Sequence, residues 1–212
     1  MRRSVSRHLR KMFFILISIL LLIAIGIAGV IIYRRLNEPT AVAALRRVDI
    51  PAWVDVDLIS IDGAARRGTA LEEVNGIVIH YVGNPGTSAQ NNRNYFNNPG
   101  TEVSAHFVVG LDGEIIQCVP LYEKSSASNF RNRDTISIEV CHPDETGVFT
   151  DATYDALVKL TAWLCSECGF TEAQIIRHYD VTGKICPKWF VEDEDAWAAF
   201  KHDVTTALTA KE

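Results

Sequence analysis

Gly76-Ile77-Val78-Ile79-His80-Tyr81-Val82 is a short run rich in β-branched side chains, closed by Gly83-Asn84-Pro85-Gly86. An apolar run of this length, ended by strong turn chemistry, predicts a buried strand. The segments downstream extend the pattern. His106-Phe107-Val108-Val109-Gly110 and Glu114-Ile115-Ile116-Gln117-Cys118-Val119 flank Leu111-Asp112-Gly113. An Asp-Gly pair between apolar runs signals a hairpin. Thr135-Ile136-Ser137-Ile138-Glu139-Val140 alternates, which puts Ile136, Ile138 and Val140 on one face and Ser137, Glu139 and Cys141 on the other.

Helices fall between these strands. Residues 88–96 are polar and end in Tyr95 and Phe96, which reads as a short helix. In residues 151–168, Tyr154, Leu157, Val158, Thr161, Leu164, Cys165 and Cys168 recur at helical spacing, with Thr150 as N-cap and Gly169 as stop. A last helix is expected from Asp193 to Leu208, with Trp197, Phe200, Val204 and Leu208 on one stripe. Four or five strands interleaved with helices predict an α/β fold, a single domain over residues 51–212 with a central mixed β-sheet flanked by helices. The chain shows no internal repeat and no low-complexity tract.

Residues 12–32 read MFFILISILLLIAIGIAGVII, without a charge. This is long enough to cross a hydrocarbon core as a helix. A cleaved signal peptide is the alternative, but its apolar region is shorter and a small-x-small site follows closely. Here Arg34 and Arg35 follow at once, and Ala41-Val42-Ala43 lies too far downstream. The expectation is an uncleaved transmembrane helix over 12–32, a basic cytoplasmic head over 1–11 and a polar, partly helical linker over 33–50 that contains Ala and Arg. Arg2, Arg3, Arg7, Arg10 and Lys11 favour a cytoplasmic N-terminus, although Arg34, Arg35, Arg46 and Arg47 weaken that bias. The head is too short to be a domain, so the C-terminal domain is expected outside the cell.

Residues 1–47 hold nine Lys/Arg against one acid, Glu38, a formal charge of +8. The whole chain carries −5, so residues 48–212 carry −13. Duplex binding rests on basic side chains neutralising phosphates, so no nucleic-acid partner is expected. Such a domain finds its substrate by shape and specific contacts. Five cysteines, Cys118, Cys141, Cys165, Cys168 and Cys186, make an odd count, so an external domain leaves at least one unpaired or acting as a ligand.

Three potential metal ligands stand out: His80 at a strand end, His178 in Arg177-His178-Tyr179-Asp180, and Cys186 in Lys184-Ile185-Cys186-Pro187. Two nitrogens and one sulfur suit zinc, and three protein ligands leave a fourth position open, as in catalytic sites. Their separation in sequence leaves the alternative open: a core His80, a surface His178 and a structural Cys186. Hydrolysis at such a centre needs a proton acceptor and a group facing the developing oxyanion. Glu139 is an acid inside an apolar strand, costly unless it faces a polar site; the alternative is a solvated edge-strand residue. Lys184 lies two residues before Cys186, so a ligand at 186 brings its ammonium close; the alternative is an exposed lysine without a role.

Four motifs in order, GIVIHYVG (76–83), SAHFVVGLDG (104–113), TISIEV (135–140) and HYDVTGKICP (178–187), resemble the zinc-dependent N-acetylmuramoyl-L-alanine amidase family of the peptidoglycan-recognition-protein and phage-amidase type. The resemblance covers roughly residues 56–208. It implies zinc held by His80, His178 and Cys186, with Lys184 assisting catalysis. Many members carry Tyr before the His-Phe pair, where this chain has Ala105. The subgroup without that Tyr carries a strand Glu, which falls on Glu139 and gives it the base role. Members often show His-Ala-Gly where this chain has Ser126-Ala127-Ser128, so a polar groove contact is missing or replaced. The implied reaction is cleavage of the amide between N-acetylmuramic acid and L-alanine in peptidoglycan, outside a bacterial membrane.

Rival readings remain at this level. A non-catalytic peptidoglycan- or muropeptide-binding module of the same family typically loses the Cys ligand, which this chain keeps. A zinc peptidase is weakened by the absence of His-Glu-x-x-His. An intracellular recycling amidase conflicts with the anchor. His106 is expected in the core or behind the ligands, and His142 in a loop near Glu139. Cys165 and Cys168, on the apolar face of a helix, are expected to pack as small hydrophobes. Trp189 and Phe190 fit either a groove wall or the core.

Overall fold

A computed structural model describes residues 2–36, 39–61 and 63–210. Met1, Asn37, Glu38, Asp62, Lys211 and Glu212 lie outside the described residues, as do the side chains of residues 2–8, Arg34 and Arg35. The charge count on both flanks of the apolar segment therefore rests on the sequence. The chain divides into two units, residues 1–38 and 39–212.

The first unit is one helix, α1 (Arg2–Leu36), with an apolar span Leu9–Tyr33 whose mean hydropathy is 3.2. At 1.5 Å per residue, 25 residues extend about 37 Å, which exceeds a hydrocarbon core of about 30 Å. None of this span is buried against protein. By length and composition the helix is able to cross a membrane.

The second unit is an α/β domain whose elements run in the order α2 (Thr40–Leu45), β1 (Asp55–Val56), β2 (Gly76–Tyr81), α3 (Ala89–Phe96), β3 (Phe107–Val109), β4 (Ile115–Gln117), β5 (Thr135–Val140), α4 (Asp151–Cys168), β6 (Ile175–Arg177), α5 (His178–Thr182), α6 (Lys188–Glu192) and α7 (Glu194–Thr209). Six strands among the described residues form one sheet in the order β1-β4-β3-β5-β2-β6. Only β3 and β4 pair antiparallel, through the expected hairpin; the other pairs are parallel. The sheet is mixed and covered by helices, as the sequence predicts. Two strands exceed the expected pattern. β1 has two residues and β6 has three, too few for a periodic signal to develop.

Both faces of the sheet are buried. One face carries Ile77, Ile79, Phe107, Ile136, Ile138 and Val140 into the main core with Leu157, Leu160 and Leu164 of α4 and Trp197, Phe200 and Val204 of α7. Full burial of each such side chain stabilises by about 1.5–3 kcal/mol. The opposite face carries Val78, Val108, Ile116 and Cys141 into a smaller cluster with Ala89 and Phe96 of α3. Helix α4 starts where Thr150 caps the Thr153 N–H and ends at Gly169 in the left-handed conformation. Within the stretch read as a spacer, α2 buries Val42 and Leu45 in the main core. All five cysteines are free thiols.

Gly76 is required by close approach: a Cβ there would lie 2.8 Å from the Gln174 carbonyl oxygen. That contact lets β6 lie against β2, which is how His178 reaches the end of the sheet.

His106 lies in this second face, fully buried. Its Nδ1 accepts from the Ser137 N–H at 3.0 Å and its Nε2–H donates to the Glu123 carbonyl at 2.8 Å. Acceptance at Nδ1 requires the neutral ring, and burial lowers its pKa to about 4, with the Glu123 bond pulling the other way. The unfolded chain takes up this proton near pH 6.5. The stability is therefore complete above about 6.5 and is lost as pH falls toward 4, on the order of 3 kcal/mol in total. All four tryptophans lie in the domain, so their near-ultraviolet signal in the full chain reports its unfolding. Between pH 7 and 4, wild type should lose about that much more stability than H106Q; parallel pH profiles would contradict the assignment.

Candidate functional site

The carboxyl ends of three parallel strands deliver the site. In α/β sheets this is where ligands bind. β2 and β5 pair in the register that sets His80 beside Glu139. β6 ends at Arg177, and His178 opens α5 immediately after. Arg177 fixes that junction: its guanidinium donates to Asp180 at 2.9 Å, Glu194 at 2.7 Å and the Phe190 carbonyl at 2.8 Å. Asp180 in turn accepts from the Arg177 N–H at 2.8 Å. Gly183 then takes φ 76° at the end of α5, a turn suited to glycine, and the chain doubles back to Lys184 and Cys186. The Tyr179 N–H closes the loop onto the Cys186 carbonyl at 2.9 Å.

The three residues singled out as metal ligands converge. One donor atom each from His80, His178 and Cys186 lies within 4.8 Å of the others, and all three residues are buried. His80 Nδ1 is 3.8 Å from Cys186 Sγ and 3.9 Å from Glu139 Oε1. The rings of His80 and His178 lie 4.6 Å apart. The group lines a cleft of about 550 Å³ with Glu139, Lys184 and Tyr95 among its walls.

Electrostatics follow from burial under one exposed cation. Burial holds His80 well below its ordinary value, and His178 and Lys184 add to the effect. His178 is lowered for the same reasons, burial first and then Lys184. Both rings are therefore neutral, the form that ligates metal. Burial pushes Glu139 up to about 8, with Lys184 acting against it. The Cys186 thiol is pushed up to about 12, by burial and then by Glu139. Glu139 Oε2 is buried without a hydrogen-bond partner among the described residues. An orphaned carboxyl oxygen on a residue beside this group is a costly arrangement unless something binds there. Two imidazoles and a thiol, open to a cleft on one side, are a donor set that fits zinc.

The remaining sequence candidates separate cleanly. His106 sits behind the site, bonded to Ser137 and Glu123 rather than to the ligand trio. His142 is buried, stacks on Tyr81 at 5.0 Å and bonds the Asp144 carbonyl through Nδ1. Trp189 and Phe190 belong to an aromatic core with Phe149 and Phe200, not to the cleft wall. Cys165 is buried in the core of α4, and Cys168 packs against it. Ser126 and Ala127 line the cleft. The roles of two residues escaped the sequence reading. Ser128 Oγ lies 3.0 Å from His80 Nε2, and Asn129 Oδ1 lies 2.9 Å from His178 Nε2. Small polar residues in a loop carry no signal of this kind until the fold brings them to the histidines.

The fold and site together define an α/β domain with a buried His/His/Cys group at the carboxyl ends of parallel strands. The chain belongs to the N-acetylmuramoyl-L-alanine amidase family (Amidase_2), whose sequence profile matches residues 70–189. It is similar to the N-acetylmuramoyl-L-alanine amidase CwlL of Bacillus licheniformis, with 32% identity over 172 residues, covering 73% of this chain and 47% of that protein. It is also similar to the N-acetylmuramoyl-L-alanine amidase BlyA of Bacillus subtilis strain 168, at 30% over 174 residues, 72% of this chain and 47% of the relative. The chain thus spans about half the length of the curated relatives it matches. Among solved structures, the catalytic domain of XlyA superposes with a TM-score of 0.63 at 28% identity, covering 71% of this chain and 98% of that one.

Proposed function

We propose that this protein is a zinc-dependent amidase that cleaves the bond between N-acetylmuramic acid and L-alanine in peptidoglycan. The observation that carries the reading is the convergence of His80, His178 and Cys186 beside Glu139 in a cleft, on a domain of this family. Zinc held by those three side chains would polarise the scissile carbonyl and activate water. Glu139, which the charge of a bound zinc would draw down from about 8 into its ionised form, takes the water's proton and passes it to the leaving amine, and its position beside His80 in the strand register supports that role. Lys184, exposed on the cleft wall, presents its ammonium to the developing oxyanion. Ala105 is buried and carries no acid or base, so the proton work rests on Glu139.

Helix α1 supports a membrane anchor over residues 12–32, with the basic head at 1–11 inside and the amidase domain outside, against the wall. The family supports that side of the membrane, because peptidoglycan lies there. A charge of −13 over residues 48–212 fits a substrate recognised by shape and contact.

Glu139→Gln keeps the shape and the ligands but removes the proton acceptor. Turnover of peptidoglycan should fall at least about 100-fold, the lower end of what a general base supplies, with zinc content unchanged. Lys184→Ala should slow turnover while keeping zinc, whereas His80→Ala should lose both. Near wild-type turnover in E139Q would move the base elsewhere.

Anchoring has its own test. The protein should stay with membranes through a high-salt wash, since a spanning helix is held by burial, and protease added to protoplasts should remove the domain. Release into the medium of a chain that begins near residue 44 would show that the helix is a cleaved signal.

A further inference from the structure

We infer that Ser128 and Asn129 are positioning residues that fix the tautomers of the two histidines, so that both present an Nδ1 lone pair to the same point as Cys186. The inference rests on the reading of His80, His178 and Cys186 as a zinc site.

In His80 one nitrogen faces the trio and the other faces away. His80 Nδ1 faces Cys186 and Glu139, at 3.8 and 3.9 Å. Its Nε2 faces Ser128 Oγ at 3.0 Å, and Ser128 is fully buried. His178 Nε2 faces the Asn129 carboxamide oxygen at 2.9 Å. A carboxamide oxygen only accepts, so that contact requires the proton on His178 Nε2. With Ser128 accepting in the same way, both neutral rings are Nε2–H tautomers and both Nδ1 atoms are free to ligate. A partner on the far nitrogen also sets ring orientation and raises ligand basicity.

The loop is built to hold this pair. Asn132 Oδ1 accepts from the Ala127 N–H at 3.0 Å and from the Ser128 N–H at 2.6 Å, tying down the turn before Asn129. Asn129 has φ 55°, the one non-glycine in the left-handed region among the described residues. Glycine satisfies that conformation with less strain, and Asn and Asp are the side chains that tolerate it. Asn129 is also solvent-exposed, so packing does not select it. What Asn adds over Gly is the oxygen on His178. The two contacts come from consecutive residues and reach both histidines, so one short loop presets the donor geometry.

The substitutions follow from this. Asn129→Gly keeps the backbone and removes the acceptor; Asn129→Asp keeps an acceptor. Ser128→Ala removes the hydroxyl. In the full chain in detergent, zinc affinity measured by chelator competition should weaken about 10- to 100-fold in S128A and in N129G, the range for lost partners behind a ligand. N129D should match wild type or exceed it. In metal-free protein labelled with ¹⁵N-histidine, wild-type His80 and His178 should carry their protons on Nε2. In each variant the affected ring should populate the Nδ1–H form. Near-ultraviolet spectra verify that the variants are folded. Wild-type affinity in a folded N129G or S128A overturns the role of that residue, as does an Nδ1–H ring in the wild type. A wild type with the expected tautomers that takes up no zinc would sink the metal reading and leave the tautomer assignment standing.

Discussion

The parallel pairing of β2 with β5 is the constraint on which the site depends. It aligns Ile77 with Ile136 and Ile79 with Ile138, and in the same register places His80 beside Glu139. A shift of one residue would turn the isoleucines out of the core and the two polar side chains into it. The register that buries the apolar face is thus the one that assembles the ligand and the acid on the other. Gly76 extends the same logic to β6, since only a residue without a Cβ lets that strand approach and bring His178 to the end of the sheet.

The polar groups at this end are held at a cost that the surroundings manage in pieces. Arg177 is locked by two carboxylates and a carbonyl, so the turn that carries His178 has a fixed start. Both imidazoles are desolvated and neutral, and Lys184 sits close enough to lower both. Glu139 retains one buried oxygen without a partner among the described residues. Local discord of this kind, inside a domain whose two apolar clusters are well formed, marks a site built for a ligand and not for stability.

Much of this was legible in the sequence, and the reasons are local. The β-branched run at 76–82, the Asp-Gly hairpin and the helix from Thr150 to Gly169 carry periodicity and cap signals strong enough to place them. His80, His178 and Cys186 were legible through motif order, because their spacing left a structural reading open; the fold brings them together. β1 and β6 were too short to show a period; the part-helical character of the 33–50 spacer was legible, but the packing of Val42 and Leu45 into the main core was not. Trp189 and Phe190 could not be divided between groove and core until the fold set Phe149 and Tyr154 against Trp189 and the α7 aromatics Trp197 and Phe200 against Phe190. Ser128 and Asn129 lie about fifty residues from the histidines they touch, so their role belongs to tertiary structure alone.

The proposed reaction is tested most directly by its products. The full chain, loaded with zinc in detergent, is incubated with purified peptidoglycan, and the released fragments are identified by mass spectrometry. The account predicts stem peptides with new L-alanine amino termini and glycan strands with free lactyl carboxyls, and neither after chelation. Cuts within the glycan or within the stem peptide, or tight binding that yields no new ends, would contradict it.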